Sequence, residues 1–218
     1  MIAPPLCQTS PAADRNKGPI LAELQRLLPA TGRALEIAAG TGQHAVYFAA
    51  GLPGWLWQAS DPDPAAVASI SAWAAASPSA GLLAPLQLDV LTGPWPTHSP
   101  GTAGTALWDL VFCANLLHIA PWACCGALMR GAALALAPQG RLITYGPYRV
   151  EGEALAPGNQ AFDADLRRRN PAWGLRWLHE VDAQACAAGL RCQVRRAMPA
   201  NNLLLVFGRG PAQPGPAQ

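Results

Sequence analysis

Arg33-Ala-Leu-Glu-Ile-Ala-Ala-Gly-Thr-Gly-Gln-His-Ala45 is the stretch that decides the fold. A short apolar run carries one acid, Glu36, and passes through the pair Gly40 and Gly42 into an amphipathic segment. This is the pattern of a buried strand, a tight turn and a helix start, which lets backbone approach a nucleotide-like ligand. Glycines at both turn positions admit backbone angles and close contacts that a Cβ would block. A carboxylate inside the apolar run is costly unless it is hydrogen-bonded, so Glu36 marks a site.

Outward from this stretch, strands and helices alternate. Apolar residues at Ile20, Leu21, Leu24, Leu27 and Leu28 predict a helix over residues 15–28, closed by Pro29. The first strand is expected at 33–38 and its helix at 41–50. A second strand is expected at 55–60, ending at Asp61, and a helix at 64–76. A third strand is expected at 83–88, ending at Asp89, and a fourth at 108–114. The helix 121–137 and strand 140–145 follow. Residues 147–178 break the rhythm, with a polar helical piece at 162–169. A helix at 181–188 precedes two strands at 190–197 and 202–208, joined tightly enough for a hairpin. The expected fold is α/β: a Rossmann-like, seven-stranded, mostly parallel sheet with helices on both faces and an antiparallel C-terminal hairpin strand. Residues 1–13 and 210–218 read as tails, and 14–209 as one domain with 147–178 as a lid or substrate-pocket insertion.

With 51% hydrophobic and 13% charged residues, the chain is expected to be globular. A net charge of +2 with scattered basic residues requires neither nucleic acid nor a membrane surface as partner. No apolar run approaches the roughly 20 residues of a membrane span, and the N-terminus lacks a basic signal-peptide region. The six cysteines, at 7, 113, 124, 125, 186 and 192, resemble buried thiols of a reducing compartment, and a cytoplasmic location is expected. Their spacing matches no zinc-ligand pattern, so no metal is expected.

Gly40-Thr-Gly42-Gln-His-Ala45 satisfies the relaxed dinucleotide fingerprint, with Asp61 near the ribose position, so a nicotinamide cofactor is one reading. Three features favour S-adenosyl-L-methionine instead. Lys17 is the only lysine, which excludes both a Tyr-x-x-x-Lys dyad and a phosphate-cradling lysine. Asp61, Asp89 and Asn115 stand at successive strand ends, where acceptors suit ribose hydroxyls, an adenine amino group and an α-amino group. No arginine lies near the glycine turn to receive a phosphate.

Glu36-x-x-x-Gly40-x-Gly42, Asp61, Asp89 and Asp109-Leu-Val-Phe-Cys-Ala-Asn-Leu-Leu-His118 resemble the successive motifs of class I S-adenosylmethionine-dependent methyltransferases. More narrowly, the chain is similar to a methyltransferase-like family catalogued as domain of unknown function 938. The phrases that carry this are Asp14-Arg-Asn-Lys17, Leu35 to His44, Trp57-Gln-Ala-Ser-Asp61, Tyr145-Gly-Pro-Tyr148 and Met198-Pro-Ala-Asn-Asn202. The resemblance implies that Glu36 helps orient the methionine amino group and that Gly40 and Gly42 run beside the methionine and ribose. It implies that Asp61 holds the ribose hydroxyls, Asp89 and Val90 meet the adenine edge, and Asn115 faces the methionine end. Asn16, within the first phrase, is expected to fold over the crevice with Arg15 and Lys17. The usual first glycine of the turn is Ala38 here.

For catalysis, His118 after strand four is the general-base candidate, with helix capping or pocket shaping as its structural alternatives. Tyr145, with Tyr148, is placed at the substrate mouth, where it could instead be a packing aromatic. Arg167-Arg168-Arg169 reads either as a solvated face or as a receptor for an anionic substrate. The expected function is methyl transfer from S-adenosyl-L-methionine to a small-molecule acceptor. The alternative is a non-catalytic protein of the same fold that binds this cofactor or a partner.

Overall fold

The computed structural model describes residues 7–97 and 107–210. Its seven-stranded sheet is built from β1 (Gly32–Ile37), β2 (Trp55–Asp61), β3 (Leu86–Gln87), β4 (Trp108–Ala114), β5 (Leu136–Gly146), β8 (Leu190–Met198) and β9 (Asn202–Arg209). The spatial order is β3-β2-β1-β4-β5-β9-β8. Pairings from β3 to β5 are parallel, and β9 runs antiparallel to both β5 and β8. The chain reverses in space between β1 and β4, and that switch point opens a crevice at the carboxyl ends of the strands.

Side-chain alternation divides the core into two apolar layers. Ala34, Leu110, Phe112, Ile143, Leu204 and Val206 face a layer containing Ile20 and Leu24 of α1 (Pro11–Leu27), Phe48 of α2 (Gln43–Gly51) and Ile70 of α3 (Pro64–Ala76). Leu35, Ile37, Val111, Cys113, Leu142, Leu205 and Phe207 face the other layer, with Leu128 of α4 (Ala123–Ala135) and Val181 of α6 (Leu178–Ala187). The sheet is covered on both sides, as the near-continuous apolar strands require. Glu36 lies in register with Ala34, so its carboxyl points into the layer under α2.

Several element boundaries differ from expectation for identifiable reasons. The segment read as an N-terminal tail enters the fold before residue 14. The Gln8 N–H donates to Ser69 Oγ at 2.8 Å, and the Trp73 indole donates to the Gln8 carbonyl at 2.8 Å. Helix α1 then starts at Pro11, with Ser10 as its cap, because proline is well suited to a first helical turn. Residues 1–6, 98–106 and 211–218, parts of the expected tails and of the loop 91–106, lie outside the described residues.

The third strand shrinks to Leu86–Gln87, with one further bridge between Trp57 and Leu82. Pro85 has no N–H to donate, and it interrupts the ladder. Helix α4 stops at Ala135 rather than 137 because Pro138 disfavours helix at the residue before it. Of the thiols expected to be mostly interior, Cys113, Cys124 and Cys125 are buried, Cys7 is half-buried, and Cys186 and Cys192 are exposed.

The segment that breaks the rhythm folds around α5 (Pro157–Arg169). The two-residue strands β6 (Tyr148–Arg149) and β7 (Arg176–Trp177) pair in parallel beside it. Asp163 ties the segment together. Its carboxylate accepts from Arg149 Nη2 at 2.6 Å, Arg167 Nε at 3.1 Å and the Leu175 N–H at 2.7 Å. Among the described residues, no helix is long and apolar enough to cross a membrane.

Phe48 joins the sheet to the glycine-turn helix. It stacks on His44 at 5.1 Å and meets Trp57 at 5.3 Å and Phe112 at 5.5 Å edge to face. Replacing Phe48 with Ala should lower unfolding stability by ~3–5 kcal/mol, readable by denaturant titration. A loss under about 1 kcal/mol would show that this aromatic cluster does not anchor α2.

Candidate functional site at the carboxyl edge of the sheet

The turn after β1 is held by the end of β2. The Ala39 N–H donates to the Ser60 carbonyl at 2.9 Å, and the Gly40 N–H to Asp61 Oδ2 at 2.8 Å. Gly40 and Gly42 have φ of 55° and 87°, the left-handed region that glycine enters without strain. At Gly40 an added Cβ would meet open space, whereas at Gly42 it would lie 2.9 Å from the Ile70 Cα. The first glycine therefore borders the crevice, and the second is a packing requirement.

Asp61 accepts one backbone N–H on each oxygen, the second from Asp63 at 3.0 Å. A carboxylate offers about four lone-pair sites, so further donors can still be received. Burial raises the Asp61 pKa above its ordinary value, while the two N–H donors oppose that rise. The Leu88 N–H bonds the Asp61 carbonyl at 3.1 Å, which brings Asp89 to the adjoining strand end. Asp89 closes a local turn through the Leu91 N–H at 2.9 Å, and Val90 beside it is buried.

Glu36 is only 1% exposed. Its carboxyl accepts from the Trp57 indole N–H at 2.7 Å. His44 Nδ1 is 4.0 Å away. Burial pushes the Glu36 pKa up to about 8, opposed by the Trp57 hydrogen bond and reinforced by Asp61. Burial, with the Lys17 charge, pushes His44 down to about 4. Near pH 7 both groups are neutral, and the contact between them is not an ion pair.

Helix α1 is latched onto this site. His44 Nε2 lies 2.6 Å from Asn16 Oδ1, and Asn16 also hydrogen-bonds the Tyr145 hydroxyl. Asp14 accepts from Gln43 Nε2 at 3.0 Å. Asn16 thus lies over the end of β5, with its side chain joining α1, α2 and Tyr145. Neither Asn16–His44 nor Glu36–Trp57 follows a sequence-local spacing. The signals for them were an acid and a histidine within one motif and the family phrases that carry Asn16 and Trp57.

On the other side of the switch point, Asn115 takes φ 65° directly after β4, and its N–H donates to the Tyr145 carbonyl at 2.8 Å. His118 closes a short 3₁₀ turn, Leu116–His118, and is buried edge to face against Phe162 at 5.4 Å. A Cβ placed on Gly146 would meet His118 Nδ1 at 3.3 Å and Asn115 Oδ1 at 3.6 Å, so these three residues converge. Burial first, and then the Arg176 charge, lower the His118 pKa to about 4. Burial raises the Tyr145 pKa, so its hydroxyl stays protonated at neutral pH. Tyr148, expected beside Tyr145 at the mouth, instead turns into the core and shares a 2.8 Å hydrogen bond with Thr144.

The carboxyl edge thus gathers Glu36, Gly40, Asp61, Asp89, Asn115, His118 and Tyr145 from five parallel strands and their loops. Residues 7–209 match the model of the family described as protein of unknown function, DUF938. The chain belongs to this family. DUF938 covers the sheet, the glycine turn and the 147–178 segment of this chain together.

The fold is shared with solved methyltransferases. Mitomycin 7-O-methyltransferase MmcR matches 91% of this chain and 54% of its own, at 17% identity and a TM-score of 0.75. Human N-acetylserotonin methyltransferase, solved in complex with SAM, matches 92% and 53% at 16% identity and 0.73. An O-methyltransferase family 2 protein from Planctomyces limnophilus, in complex with apigenin, matches 91% and 60% at 16% identity and 0.72. The chain spans a little over half the length of each of these proteins.

Two measurements test this geometry. A Glu36 pKa raised to about 8 means that the folded state holds a proton the unfolded chain releases near pH 4.5. Its contribution to stability is therefore full below pH 4.5 and is lost as pH rises towards 8. Relative to Glu36→Gln, the wild-type protein should lose up to about 4 kcal/mol between pH 5 and 8 by denaturant titration. Parallel curves would mean that Glu36 is ionised throughout.

Ala38 has φ 54°, a conformation that L-residues enter at a cost of roughly 1–2 kcal/mol and β-branched residues almost never enter. Ala38→Val should destabilise by more than about 2 kcal/mol, and Ala38→Gly should change stability by less than about 1 kcal/mol. Equal effects of the two would place Ala38 outside the left-handed region.

Proposed function

We propose that this DUF938 protein transfers a methyl group from S-adenosyl-L-methionine to a small-molecule acceptor. The observation that carries this reading is the convergence at one sheet edge of Asp61, with lone pairs still open, and Glu36 buried beneath the glycine turn. The donor set fits the cofactor. The Asp61 carboxylate suits a pair of ribose hydroxyls, and Gly40 leaves open space beside the turn. Glu36 and Asn115 border the place for the amino acid end, and Asp89 with Val90 that for the adenine edge. Bound there, S-adenosyl-L-methionine would supply an electrophilic methyl group on a sulfonium.

The remaining work falls to positioning, since in-line transfer needs a nucleophile held about 3 Å away and no covalent enzyme intermediate. Helix α1, latched by Asn16, and the 147–178 segment would close over the acceptor and exclude water. His118, neutral at pH 7, would accept a proton from an acceptor hydroxyl as its oxygen attacks. The Tyr145 hydroxyl, oriented by Asn16, would hold that oxygen. The solved relatives include enzymes named for O-methylation and one holding apigenin, which supports a small hydroxylated acceptor.

A second reading keeps the cofactor site without turnover. It is favoured by one observation: among the described residues no carboxylate is recorded bonded to the His118 ring, which meets Phe162 and the Gly146 region.

Calorimetric titration of S-adenosylhomocysteine should show binding that weakens at least tenfold in Asp61→Asn, because charged hydrogen bonds to hydroxyls contribute about 1.5–3 kcal/mol. Label from methyl-labelled donor should enter small molecules of a metabolite extract, less so with Asp61→Asn. With the base titrating near pH 4, the rate should hold from pH 6 to 8 and decline below about pH 5. Tight binding with no labelled product would favour the second reading, and binding of NADH alone would defeat both.

A further inference from the structure

The 147–178 segment, with Trp122 beside α4 and Glu180 of α6, lines an open cavity of about 350 Å³ whose other residues are Arg149, Arg167, Leu175, Arg176 and Trp177. Three guanidiniums meet there. Asp163, behind the cavity, is bonded to Arg149 and Arg167, and Glu180 is the carboxylate of the lining, so one positive charge is left over. Arg176 donates to the carbonyls of Leu117, Ala120 and Ala172, which fixes its guanidinium without neutralising it. Arg149 Nε is buried and has no hydrogen-bond partner among the described residues.

The cavity is also flat-walled. Arg149 lies over the Trp177 ring and Arg176 over the Trp122 ring, each at 5.5 Å. Guanidiniums stacked on indoles present planar faces together with forked N–H donors, a combination matched to a planar molecule bearing a carboxylate or phosphate.

Its position connects it to the carboxyl edge. Arg176 is bonded to the same backbone, residues 117–120, that carries His118. Helix α5 sets Phe162 against the His118 ring and Arg167 into the cavity, five residues or about 7.5 Å further along its axis.

We infer that this cavity holds the carboxylate or phosphate of a planar methyl acceptor, with Arg149, Arg167 and Arg176 as its receptors. The assignment rests on the methyltransferase reading, whose acceptor it narrows to anionic compounds. The Asp163 carboxylate holds the site in shape before the ligand arrives, because it fixes two of the three guanidiniums and the Leu175 backbone. Arg168 and Arg169 take no part: Arg168 pairs with Asp165, and Arg169 lies over Trp173.

The test is calorimetric titration of the full chain with benzoate, phenyl phosphate, inorganic phosphate and benzyl alcohol. Benzoate or phenyl phosphate should bind, whichever is tighter naming the anion, and each should exceed inorganic phosphate and benzyl alcohol at least fivefold. Arg149→Gln and Arg167→Gln should each weaken the preferred anion at least fivefold while leaving S-adenosylhomocysteine affinity within twofold. Arg167 is half-exposed, so its variant carries the test if Arg149→Gln fails to fold. Benzyl alcohol binding as well as benzoate, or anion affinity unchanged in Arg167→Gln, would overturn the assignment. Retained anion binding in a protein that takes up no S-adenosylhomocysteine would overturn the acceptor role through the reading it rests on, so the two failures are told apart.

Discussion

The Gly40 N–H bonded to Asp61 Oδ2 joins the turn after β1 to the end of β2, and the geometry of the crevice follows from that contact. Without it, the glycine turn would be a flexible connection between a strand and a helix. With it, two residues far apart in sequence have a fixed relation, and the carboxylate is oriented by backbone rather than by a rotating side chain. The second Asp61 oxygen is oriented in the same way by the Asp63 N–H. Orientation of this kind matters for a ligand with two adjacent hydroxyls, which gains from a preorganised acceptor and loses from one that must reorder.

Beneath the turn, burial acts on charge as much as on packing. Glu36 and His44 face each other at 4.0 Å, but desolvation moves their pKa values in opposite directions, and each is neutral at pH 7. The neutral pair is tolerated because both groups have partners: Trp57 for Glu36, and Asn16 for His44. Asn16 belongs to α1, so the N-terminal helix is part of the buried polar network. A solvated helix start would have left His44 with an unpartnered nitrogen at 6% exposure.

The sheet was legible in the sequence because its strands are apolar runs ended by acids or asparagine, and the ends of such runs are where an α/β crevice forms. Asp61, Asp89 and Asn115 could be singled out on that ground alone, and Glu36 as a carboxylate inside an apolar run. What the sequence did not disclose depends on contacts between distant segments. The start of α1 was hidden by the Pro- and Ala-rich composition around Pro11, although Ser10-Pro11 is itself a helix-start signal. Of the cavity arginines, Arg167 was legible within its run of three, whereas Arg149 and Arg176 were hidden because the pairing of β6 with β7 brings them together and neither sits in a local motif. Tyr148 differed from expectation for a simpler reason: alternation along a strand-like segment turned it to the opposite side from the crevice, where its hydroxyl shares a hydrogen bond with that of Thr144.

Ala38 bears on how rigid this site is. An alanine in the left-handed region should give way unless its surroundings determine the conformation more strongly than its own preference does. Here the next two N–H groups, of Ala39 and Gly40, are both held by β2, and the Ala38 side chain packs on the apolar layer of α4 and α6. That packing is unavailable to glycine, and it offsets part of the backbone strain. The turn therefore owes its shape to tertiary contacts on both sides rather than to the intrinsic freedom of its first residue. A loop fixed in this manner has less entropy to lose when a ligand arrives, which favours a crevice whose form precedes its occupant.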